Sequence, residues 1–313
     1  MPTITLILPY FGKLPKFFPL WLESCRANES VIWLVLTDDR SPQNWPENVC
    51  VSYCTFDEFR ARIQSEFDFP ISLERPYKLC DFKAAYGSIF MEELRNADFW
   101  GYCDCDLMFG NIRKFLTDRI LQDYDRIFCN GHLTLIRNKP EFTQMYTLKL
   151  SGVVHYKDAF SSPRQFAFDE WGGTSLIWRE IAPKRFYVPA IRPFDDLSVP
   201  EEKFVPRNGK PPEKNICYVW RAGTLMRISD SGQEETMYVH FQKRPMRLPE
   251  NPDFVSEAVR AGCVFVPGKC LPYDDRFLSD SSFRRKFCNL HGPYWHYWFL
   301  RLKNLKRKLI AGY

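Results

Sequence analysis

Apolar and polar positions alternate along this chain in two rhythms. Thr3 to Leu8 (TITLIL), Val31 to Thr37 (VIWLVLT) and Phe99 to Cys103 (FWGYC) are apolar at almost every position and rich in β-formers, the pattern of strands covered on both faces in a parallel sheet. Between them the period lengthens. An amphipathic helix is predicted around Pro15 to Arg26 and another near Phe56 to Phe67, with a short strand near Val49 to Tyr53 between these two. From Pro76 to Leu94 a single helix is predicted that turns Leu79, Phe82, Ala85, Tyr86, Ile89 and Phe90 inward. Strand, helix and strand in alternation define an α/β chain with a Rossmann-like, mostly parallel central sheet and flanking helices. In such folds ligands sit beyond the carboxyl ends of the strands.

The second half reads less regularly. A helical turn is expected over Asn111 to Leu116, strands over Tyr124 to Cys129 and Leu133 to Arg137 around a Gly131-His132 turn, and a helix from Pro140 to Leu148. From Ser151 to Phe168 the periodicity is lost, which predicts a mobile or substrate-facing loop. A short helix ending at Ile181 follows, then a proline-rich excursion over residues 182–215. Ile216 to Trp220 and Thr224 to Ile228 form a hairpin around Ala222-Gly223, and Met237 to Phe241 is a last short strand. The expected organisation is one domain over 1–245, an extension over 246–293 packing on it, and a basic amphipathic helix over 294–313.

Composition narrows the class. With 45% apolar and 16% aromatic residues the chain can bury a sizeable core, which excludes global disorder. No apolar run reaches the 18 residues or so of a spanning helix, and the N-terminal residues carry no basic region or cleavage site, so the protein is expected to stay in the compartment where it is made. Eleven cysteines without a Cys-x-x-Cys pair predict reduced cytoplasmic thiols, with Cys103 and Cys105 turned to the core. The net charge of +5 is a property of the tail: Arg301, Lys303, Lys306, Arg307 and Lys308 account for it. The balanced remainder offers no basic groove for nucleic acid. Trp298, Leu302, Leu305 and Leu309 share one helical stripe with the basic residues off it. That is the pattern of a helix lying in an anionic membrane surface, or of a terminal helix docked on the protein with its basic face in water.

The candidate chemistry begins where the third apolar run meets Asp104 and Asp106 in FWGYCDCDLMFGN. In extended chain, side chains at i and i+2 point the same way, so two carboxylates can face one ion. At the end of a buried strand they are costly unless compensated. A hard divalent cation, Mg2+ or Mn2+, shared with a diphosphate compensates them; a turn with Asp as cap is the alternative. Tyr10 and Asp38 follow the first two strands, where they can stack on and hydrogen-bond a base or ribose; Tyr10 can equally cover the core. Lys78, Asp81 and Lys83 open the Pro76 helix, an odd place for lysines unless phosphate or sugar hydroxyls attract them; a solvated face is the alternative. Asp169 and Glu170, beside Trp171, Gly172 and Gly173, suit a sugar site in which a carboxylate acts as a base or steadies an oxocarbenium ion. Asp169 can also simply cap the next helix. His240 is followed by Lys243 and Arg244, which suggests a third metal ligand with phosphate-neutralising cations, against a merely packed histidine.

With Pro9-Tyr10-Phe11-Gly12, YKLCDFKAAYG, Asp104-x-Asp106 and His240-Phe241-Gln242-Lys243, the chain resembles bacterial GT-A fold glycosyltransferases of capsule, exopolysaccharide and O-antigen biosynthesis, over about residues 3 to 245. The resemblance implies a UDP-sugar donor from which a hexose passes to a saccharide acceptor, expected to be lipid-linked. It implies Mn2+ or Mg2+ on Asp104, Asp106 and His240. Tyr10, Asp38, Lys78, Asp81, Lys83, Asp104 and Lys243 would line the donor site, and Asp169 or Glu170 would be the acid near the transferred sugar. The protein would work in the cytoplasm, peripheral on the inner face of the cytoplasmic membrane. Inverting and retaining transfer both stay open. A haloacid-dehalogenase-like phosphatase expects Thr or Val where Met108 stands, and its nucleophile on the first strand. A non-catalytic sugar-nucleotide-binding protein of the same fold is the remaining alternative.

Overall fold

The computed structural model describes residues 1–170, 172–198, 203–242 and 246–288. In chain order the strands are β1 (Ile4–Tyr10), β2 (Val31–Thr37), β3 (Val49–Tyr53), β4 (Phe99–Cys103), β5 (Leu107–Phe109), β6 (Arg126–Asn130), β7 (Leu133–Arg137), β8 (Phe186–Tyr187), β9 (Asp195–Asp196), β10 (Cys217–Arg221), β11 (Thr224–Ser229), β12 (Gly232–Glu235), β13 (Tyr238–His240), β14 (Cys263–Val266) and β15 (Lys269–Pro272). The chain divides into two compact units. The first holds 1–105 and 113–190, the second 106–112 and 191–313. The division falls between the two aspartates of the Asp-x-Asp triplet, and not at residue 245.

The first unit is a seven-stranded sheet in the order β3-β2-β1-β4-β7-β6-β8 with helices packed on it. Pairs β1–β2, β1–β4, β2–β3 and β6–β8 are parallel, and β7 runs antiparallel to both neighbours. The fold is therefore α/β with a mostly parallel central sheet, as the apolar runs predict. β4 is buried at all five positions, and Gly101 lets its neighbour come close: a Cβ there would collide with the Thr134 carbonyl and lie 2.7 Å from Leu135 Cδ2. Gly101→Ala is expected to destabilise this unit by about 3 kcal/mol through overpacking against backbone, read as a lower urea midpoint.

The helices follow their caps. Phe56–Ser65 starts on a capping box, with Thr55 Oγ1 accepting from Glu58 N at 3.2 Å and Glu58 Oε2 accepting from Thr55 N at 2.7 Å. The stretch predicted as one helix from Pro76 to Leu94 is instead a chain of short turns: 3₁₀ over Pro76–Lys78 and Lys83–Ala85, α over Leu79–Phe82 and Tyr86–Ile89. Its buried residues Leu79, Phe82 and Ala85 recur every third position, the period of a 3₁₀ turn. The segment predicted as a loop contains a helix, Tyr156–Ser161, whose Phe160 stacks on Phe82 at 4.4 Å between ring centroids.

The second unit is built from two sheets, one in the order β12-β11-β10-β14-β15 and one in the order β5-β13-β9. The β10–β11 hairpin turns through Ala222 and Gly223, both at positive φ, as a two-residue primed turn requires. Because β14 pairs with β10, residues 246–288 complete this sheet and are not an appended extension. Val219, Val264, Val266 and Phe277 form its core. The helix expected over 294–313 lies outside the described residues. None of the eleven cysteines, all among the described residues, is in a disulfide, and Cys103 and Cys105 are buried.

Candidate functional site

In the first unit the carboxyl ends of β2, β1 and β4, three adjacent parallel strands, bring Asp38, Tyr10 and Asp104 to one edge of the sheet. The loops there are tied together by carboxylates accepting backbone N–H groups. Asp38 Oδ1 accepts from Gly12 at 2.7 Å and Asp39 Oδ2 from Leu14 at 2.9 Å. Asp39 also accepts from Ser41 Oγ. These hydrogen bonds, Ser41's first, hold its carboxyl down at about 2. Tyr10 closes its own turn, its hydroxyl donating to Lys13 O at 3.3 Å.

At the end of β4 a tight group of charges forms. Lys83 Nζ donates to Asp104 Oδ1 at 2.7 Å and to Gly131 O at 2.8 Å. Burial works against the Lys83 ammonium, but Asp104 and then Asp169 more than offset it, and its pKa stands well above the ordinary lysine value. Gly131 is delivered by an irregularity: the β6–β7 register shifts between Ile127 and Asn130, and Phe128 sits at φ 67°. A positive φ at a bulky residue is strained, and such bulges commonly re-aim chain next to sites. The turn that follows accepts Asp104 N at His132 O, 3.1 Å away.

Asp169 and Glu170 meet this turn from the other side. Glu170 Oε1 accepts the Gly131 N–H. A Cβ on Gly131 would lie 2.6 Å from that oxygen and 2.9 Å from Asp169 Oδ2, so any larger residue there would push the two carboxylates aside. Asp169 is 2% exposed. Its main-chain carbonyl accepts from Tyr102 Oη, from the fully buried Arg126 guanidinium and from Thr174 Oγ1 at 3.1 to 3.3 Å, while its side-chain Oδ2 has no hydrogen-bond partner. Burial pushes the Asp169 carboxyl well above the usual carboxylate range, against the pull of Lys83. Gly173, not Asp169, is the N-cap of the Thr174–Ile181 helix. Glu170 is half-buried, and of the two acids it is the reachable one.

Lys78 and Asp81 do not face a ligand. Lys78 is 2% exposed, and its three N–H groups are all used, by Asp81 Oδ2 at 2.7 Å, Ala159 O at 2.8 Å and Arg164 O. Asp81 in turn accepts the N–H groups of Phe166 and Phe168. The pair holds the turn that carries Asp169 and Glu170, and acts one step behind the site. Trp171, Lys243 and Arg244, named above from the sequence, lie outside the described residues.

In the second unit His240 is central. On β13 it stands opposite Leu107 of β5 on one side and Asp196 of β9 on the other, so the β5-β13-β9 sheet sets a carboxylate on each side of the ring. His240 Nδ1 lies 2.9 Å from Asp196 Oδ1, and Nε2 lies 3.3 Å from Asp106 Oδ1. Asp106, Asp196 and His240 are all buried. Asp196 also accepts from Arg207 at 2.6 Å and from Gln242 Nε2 at 2.6 Å. A carboxylate so supplied with donors is placed to accept from Nδ1 as well. Nε2 and Asp106 Oδ1 face each other at a distance that either a shared proton or a divalent cation bound by both satisfies. Nitrogen and carboxylate oxygen are donors that Mn2+ accepts readily, so the residues fit a divalent cation. Asp196 was not foreseen; an acidic pair between Phe194 and Leu197 in a proline-rich stretch was its one sequence signal.

The first unit is thus a mixed α/β sheet with acids at its strand ends, and the second sets a histidine between two carboxylates. The chain belongs to the family of unknown function DUF6625, whose model matches residues 6–265. Among curated proteins none matches it. Among solved structures it is similar to mouse xyloside xylosyltransferase 1 in its apo form, at 9% identity over 63% of this chain and 88% of that one, with a TM-score of 0.34. It is also similar to the galactosyltransferase LgtC in complex with donor and acceptor sugar analogues, at 10% identity over 61% of this chain and 75% of that one, with a TM-score of 0.35.

Proposed function

We propose that this protein is a metal-dependent glycosyltransferase of the GT-A type that moves a hexose from a UDP-sugar to a saccharide acceptor. The observation that carries the reading is His240 Nε2 set 3.3 Å from Asp106 Oδ1 with Nδ1 already engaged by Asp196. Asp106 and His240 hold Mn2+ or Mg2+. When bound, the cation neutralises charge on the diphosphate leaving group. Tyr10 and Asp38, at the ends of β1 and β2, take the nucleoside. Lys83 orients Asp104, and Glu170, held by the Gly131 N–H, is the acid beside the transferred sugar. Asp169, enclosed and pushed toward its neutral form, buttresses Glu170.

The acceptor is proposed to be lipid-linked, in surface polysaccharide synthesis at the inner face of the cytoplasmic membrane. The support is the aromatic and basic pattern of residues 294–313 and the sequence resemblance. Titrating the protein with UDP and a panel of UDP-sugars, with and without Mn2+, tests the donor reading. Binding of UDP tightened at least tenfold by Mn2+ is expected; binding indifferent to metal, or no binding, would refute it.

A further inference from the structure

In the function proposed so far Asp196 enters only as the partner of His240 Nδ1, yet the fold invests in it. Residues 182–215 are proline-rich, and among the described ones the two-residue strand β9 pairs in parallel with β13 so that Asp196 stands opposite His240. Backbone bonds fix the register, with Leu197 N donating to His240 O at 3.2 Å and Arg207 N to Asp196 O at 2.8 Å. The two acids of the strand point opposite ways. Asp195 is spent on structure, accepting from Tyr218 Oη at 2.9 Å and pairing with Arg227. Asp196 faces the imidazole. Gln242 adopts φ 55°, outside the usual range for its side chain type, and its amide reaches the same Asp196 oxygen at 2.6 Å.

We infer that Asp196 is the positioning residue for His240. It accepts the Nδ1 hydrogen, fixes the ring plane, and leaves Nε2 as the atom presented toward Asp106, with Arg207 and Gln242 holding Asp196 in turn. Carboxylates that orient a ligating histidine in this way also raise its basicity, and their loss typically costs 10- to 100-fold in metal affinity. The inference rests on the metal-site reading, and its test separates the two.

The experiment uses the full chain labelled with 15N-histidine, His240 being assigned by comparison with His240→Gln. The nitrogen states are read by long-range 1H–15N correlation without metal and with Mg2+, and Mn2+ affinity is measured by electron paramagnetic resonance for the wild type, Asp196→Asn and Asp106→Ala. The expected results are a protonated Nδ1 on His240 in the wild type, loss of that single state in Asp196→Asn, and Mn2+ affinity about 10- to 100-fold weaker in that variant. Wild-type Mn2+ affinity in Asp196→Asn overturns the inference while leaving the metal site standing. No Mn2+ binding by the wild type refutes the metal reading, and the role of Asp196 is then decided by the nitrogen state alone. A bare Nδ1 with the hydrogen on Nε2 overturns the inference in every case, and this readout needs only the wild type if Asp196→Asn fails to fold.

Discussion

Asp106→Ala is expected to abolish the Mn2+ dependence of UDP binding and to lower UDP release from the cognate UDP-sugar by about 1,000-fold, the scale seen when one preorganised partner of a developing charge is removed. The size follows from what Asp106 does in the second unit. It is buried and is the acceptor set against His240 Nε2 at 3.3 Å, so alanine removes a charged ligand and leaves the imidazole facing an empty space. Asp104→Asn should cost less. Its carboxylate is partly exposed and already shared with Lys83, and an amide oxygen can still accept that ammonium. Equal, small losses in the two variants would show that neither carboxylate holds a cation. Isothermal titration of UDP with Mn2+ present or absent, run beside a UDP-release assay, reads both effects.

The largest effect on stability is expected away from the chemistry. Lys78→Met should destabilise the protein by roughly 3 to 5 kcal/mol, the cost of breaking a buried ion pair from one side. Methionine replaces the aliphatic stem well, so the loss is electrostatic. Asp81, fully buried, would be left without its cation, and the carbonyls of Ala159 and Arg164 would lose a donor. Lys78→Met/Asp81→Leu should recover only part of this. The double change removes the orphaned charge but strands the N–H groups of Phe166 and Phe168, which Asp81 accepts. Urea denaturation of the wild type, the single and the double variant checks the order. A Lys78→Met variant as stable as the wild type would mean that this pair does not hold the turn before Asp169.

These two residues also show where the sequence was readable and where it was not. β1, β2, β4 and β7 are legible because each is covered on one or both faces and so written as an apolar run, while β3, mostly exposed, shows only by its β-forming residues; the predicted bounds of β2, β3, β4 and β7 match the structure. The Pro76 segment was legible in which residues it buries and not in its geometry, since a three-residue spacing resembles a helix face until the turns are seen. Lys78 is read as a donor-site residue because a lysine near a helix start suggests an anion there, and nothing local announces that two carbonyls about 80 residues away will meet its ammonium. The β5-β13-β9 sheet escaped for a different reason. Its strands are two or three residues long, too short for a period, and β13, itself foreseen as a strand, pairs with β5 from more than 100 residues away and with β9 out of the proline-rich stretch. His240 was nameable from its basic neighbours, but its orienting partner Asp196 was visible only once β9 had been placed beside β13.

Crystals grown with UDP and Mn2+ and measured at the manganese absorption edge show whether Asp106 and His240 hold a divalent cation for a sugar nucleotide. A strong anomalous peak is expected within about 2.0 to 2.4 Å of both Asp106 and His240 Nε2, continuous with diphosphate density. UDP bound with no anomalous peak at these residues, or manganese bound elsewhere with His240 still turned to Asp106 alone, would contradict it.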